Sequence, residues 1–262
     1  MKKQAPPRPV CLRVEKNSEL TPNMRRIVLT GEALLDYPEI TTSAYVKLLF
    51  DLQGQPLSAP PTSKDDVLMR TYTIRALDRQ NKTMSIDMAL HGNGSEDGPA
   101  SHWAKHAQPG EQILIAGPGK TKPLSENYDW VLFAGDMTSL PAISAYLERL
   151  PKHTPGYAVI KITSEDDKQA LTKPENVALV WVVGDEEELA DTVAQLPWPE
   201  GTPAIWAACE FAAMRGLRTL FREQRQVAHS QIYISSYWRQ GRSEDQHKID
   251  KRKDAEAFAA DK

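Results

Sequence analysis

The sequence predicts a two-domain chain of the β plus α/β class: an antiparallel, six-stranded β-barrel, then a parallel-sheet α/β domain, then a C-terminal helix. Three observations carry this. Six short runs rich in Val, Ile, Leu and Thr fill the first half, separated by turn-forming residues. From about Tyr128 onward, apolar runs alternate with helical patterns, as a parallel sheet covered on both faces requires. A chain of 262 residues is also long enough for two cores of ordinary size. The expected boundaries are 1–123 for the barrel, 124–236 for the α/β domain and 237–262 for a helical tail.

The barrel strands are expected at 9–17, 24–30, 44–50, 67–77, 83–91 and 111–116. Thr21-Pro22-Asn23, Gly31 and the stretch 53–66 punctuate them. One helix interrupts the series at 98–107, where Ser101 serves as N-cap or sits in the first turn. In the second half, strands are expected at 130–135, 157–163, 177–183, 204–209 and 231–235. Helices are expected to start at Pro141 and to span 185–196 and 211–225. The tail from Tyr237 is rich in Glu, Lys, Asp and Ala after Gly241, which favours helix.

Composition narrows the function. A net charge of −3 gives no global field for nucleic acid, so any anion site is local. No apolar stretch approaches membrane-spanning length and the start, MKKQAPPRPV, lacks the apolar core of a secretory signal, so the expectation is a cytoplasmic protein without membrane insertion. Cys11 and Cys209 are far apart and form no CxxC pair, which reads as two reduced, buried thiols. His102 and His106 are spaced i, i+4 with no third ligand nearby, so no metal site is expected. Redox chemistry, where present, requires a bound cofactor.

The segment Arg70-Thr71-Tyr72-Thr73-Ile74-Arg75 points to one. Strand side chains alternate, so Arg70 and Tyr72 share a face on which a guanidinium clamps a pyrophosphate and a phenol ring lies along a flavin; Thr73 offers a hydroxyl and an N–H. Six residues alone fit a half-exposed strand equally well. The start of the 98–107 helix adds backbone N–H groups at Gly98, Ala100 and Ser101 that suit phosphate oxygens, a reading compatible with an ordinary N-cap.

RTYTIR, IDMALHG (86–92), GPASHWA (98–104), AGPGK (116–120), FAGDMTSLPAI (133–143) and YWRQGRSE (237–244) together, in this order, resemble the signature stretches of the siderophore-interacting protein family. These are FAD-containing ferric-siderophore reductases related to the ferredoxin reductases. The resemblance implies that Arg70, with Thr71 beside it, holds the FAD pyrophosphate, that Tyr72 packs on the flavin and that Thr73 bonds near its ring. Asp87 and His91, taken as i and i+4 on one strand, would face the same flavin; read alone, His91 is a hydrogen-bonded strand-end residue. Asp136, Thr138 and Ser139 are the candidates for the nicotinamide dinucleotide, at the place where a doubly wound sheet puts its ligand. Trp238 either covers the cofactor or anchors the last helix.

The resemblance further implies a ferric siderophore as substrate and NADH, NADPH or reduced ferredoxin as donor, with ferredoxin a partner in the last case. A flavin takes up two electrons together and releases them singly, matching a hydride donor to Fe(III), and no side chain need act as acid or base. Reduction weakens binding by hard oxygen ligands and frees the iron. Lys47, Lys120, Lys122, Arg242 and Lys248 are the basic residues close to the signature stretches and so the candidates for docking an anionic substrate, although each also reads as ordinary surface charge. Nothing in the sequence demands more than a monomer.

Overall fold

The computed structural model describes residues 8–91, 97–184 and 187–260. The chain divides between Thr121 and Lys122 into two compact units.

The first unit is an antiparallel sheet of β1 (Val10–Thr21), β2 (Met24–Thr30), β3 (Tyr45–Phe50), β4 (Leu68–Thr73), β5 (Ala76–Asp78), β6 (Thr83–Ala89) and β7 (Gln112–Gly119), in the order β4-β3-β7-β1-β2-β6-β5. Alternation builds its core. Leu12 and Val14 of β1, Ile27 and Leu29 of β2 and Met84 and Ile86 of β6 point inward, while Arg13 and Glu15 remain outside. Helix α1 (Pro99–His106) lays Ala100, Trp103 and Ala104 on that core, Trp103 edge-on to Phe50 with ring centroids 6.2 Å apart. Pro99 fits the first helical turn, and Lys105 and His106 complement the dipole in the last.

The described residues contain seven strands in this sheet rather than the expected six, because the run 67–77 is two strands. Ile74 N–H donates to Ala44 C=O at 2.8 Å, on the β3 side, and Arg75 N–H donates to Ser85 C=O at 2.9 Å, on the β6 side. The chain thus leaves one edge of the sheet and joins the other within two residues. Strand β6 stops at Ala89, so His91 lies beyond it and not in strand phase with Asp87. Cys11, expected inside, is exposed because it alternates with the inward Leu12; Cys209 is buried.

The second unit is a parallel sheet, β8 (Trp130–Asp136), β9 (Gly156–Ile162), β10 (Val177–Val183), β11 (Pro203–Glu210) and β12 (Ile232–Trp238), in the order β10-β9-β8-β11-β12. Every residue of β8 and β11 is buried, which is why both read as unbroken apolar runs. Strand β10 is an edge and leaves Ala178 and Val183 exposed. Helices α2 (Leu140–Leu147), α3 (Glu187–Gln195), α4 (Phe211–Thr219) and α5 (Glu244–Ala260) complete the unit. The helix expected at 211–225 stays α-helical only to Thr219 and then widens into a π-turn over Leu220–Gln224. Tyr237 and Trp238, assigned from sequence to the tail, still belong to β12.

Helix α5 docks through charge. Asp254 receives two hydrogen bonds from Arg218, at 2.6 and 3.0 Å, and Arg218 also lies over Phe258, 4.4 Å from the ring centroid. Asp250 accepts from Arg239 at 2.6 Å, and His247 is buried.

Leu29 is completely buried at the centre of the first unit's core. Leu29→Ala should cost about 2–5 kcal/mol, read as an earlier denaturant midpoint for that unit; an unchanged midpoint would contradict the packing described.

Candidate functional site

In the first unit, β4 carries Arg70, Thr71, Tyr72 and Thr73. Arg70 is half-buried and donates to its neighbour's carbonyl, Met69 C=O, at 3.0 Å; among the described residues it meets no carboxylate. Tyr72 is half-buried against the core and Thr73 is buried. The N-terminus of α1 begins at Gly98, with no side chain capping it. A Cβ at Gly98 would come within 3.2 Å of the His91 ring, so glycine permits the imidazole to lie against the helix start. Ser101 lies in the first turn and is not the cap. Its hydroxyl accepts from His91 N–H at 3.1 Å and donates to His91 C=O at 2.9 Å, tying the chain after β6 to α1.

Arg70 is near enough for its charge to act on His91. Burial pushes the imidazole's pKa below its ordinary value, Asp97 opposes this, and Lys105 and Arg70 reinforce it. His91, its pKa lowered, thus lies beside a guanidinium that meets no carboxylate among the described residues and beside a row of first-turn N–H groups, an arrangement that can receive a diphosphate. Asp97 is held below the usual carboxylate range chiefly by Lys105, which donates to it at 2.8 and 2.9 Å. Gly92, the last residue of the IDMALHG stretch, lies outside the described residues.

Asp87 does not join this group. It is buried and accepts from Arg26 Nε and Nη2 at 2.6 and 2.7 Å, with Arg75 Nε 3.8 Å away. Its carboxylate is committed to a cross-strand ion pair set by the Arg26–Asp87 register. Lys47 pairs in register with Thr71, and Leu48 with Arg70, so Lys47 leaves the sheet on the face opposite Arg70. Lys120, beyond β7, and Lys122, at the start of the second unit, are exposed.

In the second unit, strand order reverses between β8 and β11, and their carboxyl ends define the switch point. Asp136 ends β8 there. Its Oδ1 accepts from Thr138 N–H at 2.9 Å and from the Thr138 hydroxyl at 2.5 Å; its Oδ2 accepts from Glu210 N–H and from the Trp238 indole N–H, both at 2.8 Å. Burial pushes this carboxyl above its ordinary value while the four hydrogen bonds pull it down. Ser139 is fully buried, and its N–H and hydroxyl both donate to Asp136 C=O at 3.0 Å. Asp136, Ser139 and Trp238, expected to meet a cofactor, thus spend their polar atoms on one another; Thr138 and Trp238 are half-buried, Asp136 and Ser139 buried.

Glu210, which sequence reasoning passed over, ends β11 across the switch point from Asp136. It caps α4 by accepting from Ala212 N–H, and its other oxygen accepts from Gln240 N–H at 3.1 Å. The available signal was its place: an acidic residue closing an apolar strand directly before a helical pattern.

Two of the tail cations are locally neutralised. Lys248 lies 3.2 Å from Glu244 and 3.1 Å from Asp245; burial pulls its pKa down, but these carboxylates hold it above the ordinary value. Arg242 Nε is 3.5 Å from Asp250, which also binds Arg239. Lys251, also passed over, donates to Ser235 Oγ at 2.6 Å and Ser236 C=O at 3.1 Å, and burial lowers its pKa.

An antiparallel sheet followed by a doubly wound parallel sheet is the ferredoxin-reductase-like class of architecture. Ferredoxin-NADP+ reductase from Plasmodium falciparum is similar in fold alone, with a TM-score of 0.60, 12% identity and coverage of 87% of this chain and 96% of that one. Residues 13–122 match the siderophore-interacting FAD-binding domain and residues 128–241 the siderophore-interacting protein domain, and the chain belongs to the siderophore-interacting protein family. Ferric vibriobactin reductase ViuB of Vibrio cholerae is 33% identical over 237 residues, covering 85% of this chain and 86% of the relative. NADPH-dependent ferric-chelate reductase of Escherichia coli is 28% identical over 239 residues, 87% of this chain and 90% of the relative. The crystal structure of the siderophore-interacting protein SipS from Aeromonas hydrophila superposes with a TM-score of 0.85 at 33% identity, covering 95% of this chain and 98% of that one.

His91 and His247 are both pushed below the ordinary imidazole value, in each case foremost by burial. The unfolded chain takes up these protons first as pH falls through about 6.5, so the stabilisation is complete above that pH and is lost toward the depressed values. Denaturation midpoints should decline between about pH 7 and pH 5, less steeply in His247→Gln; an identical slope in the variant would exclude His247.

Proposed function

We propose that this chain is an FAD-dependent ferric-siderophore reductase that releases iron in the cytoplasm. The observation that carries the reading is Arg70, free of carboxylates among the described residues, beside His91 at the uncapped start of α1, within the stretch that matches the FAD-binding domain. These groups fit a flavin dinucleotide: Arg70 and the N–H groups of Gly98, Ala100 and Ser101 would receive the diphosphate, and Tyr72 and Thr73 would border the ring. Thr71, exposed on the outer face of β4, flanks this site. Bound FAD supplies the conversion from two-electron uptake to single-electron delivery. Asp87 acts indirectly, fixing Arg26 and Arg75.

We read residues 1–123 as the FAD-binding domain, closed into a barrel by the crossing at Ile74–Arg75, 124–236 as the NAD(P)H-binding-type domain and 237–262 as its helical extension. The electron donor is NADH or NADPH, with reduced ferredoxin the alternative, and the working unit is a monomer. Among the basic candidates Lys47, Lys120 and Lys122, which meet no carboxylate among the described residues, would face an anionic ferric siderophore, whereas Arg242 and Lys248 share their charge with carboxylates.

The test is anaerobic photoreduction of FAD-loaded protein followed by a ferric siderophore and an Fe(II) chelator. Flavin absorbance should bleach, then return as Fe(II) appears; a spectrum that stays bleached would assign another acceptor. Arg70→Ala should weaken FAD binding about 10- to 100-fold, the cost of charge-assisted hydrogen bonds worth about 1.5–3 kcal/mol. Full flavin content in that variant would remove Arg70 from the clamp.

A further inference from the structure

At the switch point of a doubly wound sheet, first-turn N–H groups of the two flanking helices ordinarily stand open to a ligand's phosphates. Here they do not. Thr138 N–H, before α2, points to Asp136, as does Glu210 N–H, before α4. Ala212 N–H, in the first turn of α4, points to the Glu210 carboxylate, and Gln240 N–H, after β12, points to its other oxygen. Asp136 and Glu210 are 5% and 3% exposed, so solvent screens neither well. Thr163, just after β9, meets Met137 through its hydroxyl at 3.3 Å, and the turn that follows carries exposed Glu165 and Asp166 on the same edge of the sheet.

We infer that Glu210, with Asp136 beside it, is an internal stand-in for a dinucleotide phosphate and sets this chain's affinity for pyridine dinucleotides low. The inference rests on the reductase reading for the relevance of the donor, although not for the geometry. Two carboxylates hold the donors that a pyrophosphate would use and add like charge where it would approach. Glu210 is the more replaceable member: its side chain accepts from two backbone N–H groups, of Ala212 and Gln240, whereas Asp136 accepts four hydrogen bonds, from Thr138, Glu210 and Trp238.

ADP-ribose is the probe, because it carries the adenosine diphosphate common to NADH and NADPH and does not depend on flavin redox state. Calorimetry would use the full chain saturated with FAD, so that the flavin site is filled. Wild-type protein should bind ADP-ribose weakly. Glu210→Gln should bind about tenfold more tightly at low salt, the effect of one unit charge at a helix N-terminus, and Glu210→Asp should remain weak. A gain of binding is not an outcome of structural damage. Tight wild-type binding, or a folded Glu210→Gln no better than wild type, would each overturn the inference. Glu210→Ala, which removes the same charge, takes the place of the Gln variant should that one fail to fold, with the same outcomes. The photoreduction experiment reports separately on the reductase reading, since its electrons bypass the dinucleotide.

Discussion

The second unit depends on one carboxylate. Asp136 gathers Thr138, the end of β11 through Glu210 N–H, and the end of β12 through the Trp238 indole, so three strand ends are fixed by four hydrogen bonds to two oxygens. A buried acid without such partners would cost several kcal/mol; with them, it specifies one register for the whole carboxyl edge. Gly135 shows how tight the arrangement is: a Cβ there would run into Ser139 Oγ and lie 2.8 Å from Ala208 C=O. The residue before the carboxylate must therefore be glycine for β8 and β11 to close.

The first unit solves the opposite problem. There, among the described residues, no side chain caps the helix start, and Ser101 spends its hydroxyl on His91 rather than on the first-turn N–H groups. Asp97, the acid nearest that start, is taken up by Lys105, and Asp87, the acid on β6, by Arg26. With both carboxylates paired, Arg70 meets no carboxylate among the described residues. The two units thus present opposite electrostatics at comparable places, N–H groups open to an anion in one and closed by carboxylates in the other.

Much of this was legible in sequence because the signals were local. Apolar runs at 130–135 and 204–209 are the buried strands β8 and β11, and Gly98-Pro99 does begin α1. What failed depended on partners distant in the chain. Asp87 looked like a ligand because spacing says nothing of Arg26 across the strand pair, and the run 67–77 looked continuous because nothing local reveals that Ile74 and Arg75 bond to different strands. The tail lysine Lys248 looked free, yet its own helix supplies Glu244 and Asp245 one turn away, a pairing that i, i+3 and i, i+4 arithmetic does expose. Glu210 was hidden for a different reason: a single acid at a strand end has meaning only once strand order puts it opposite Asp136.

An enzyme that lowers its own affinity for a donor loses little by it. Binding that is equal in ground and transition states lowers KM without raising kcat, and nothing is gained from it once the donor is abundant. The carboxylates at the switch point act on the phosphates, far along the molecule from the reacting nicotinamide, and so act on uniform binding. Their removal would tighten the complex without assisting hydride transfer, and a tighter product complex would leave more slowly. Filling the switch point from within exchanges dinucleotide affinity, which a high donor concentration replaces, for a rigid strand edge around Trp238, which it does not.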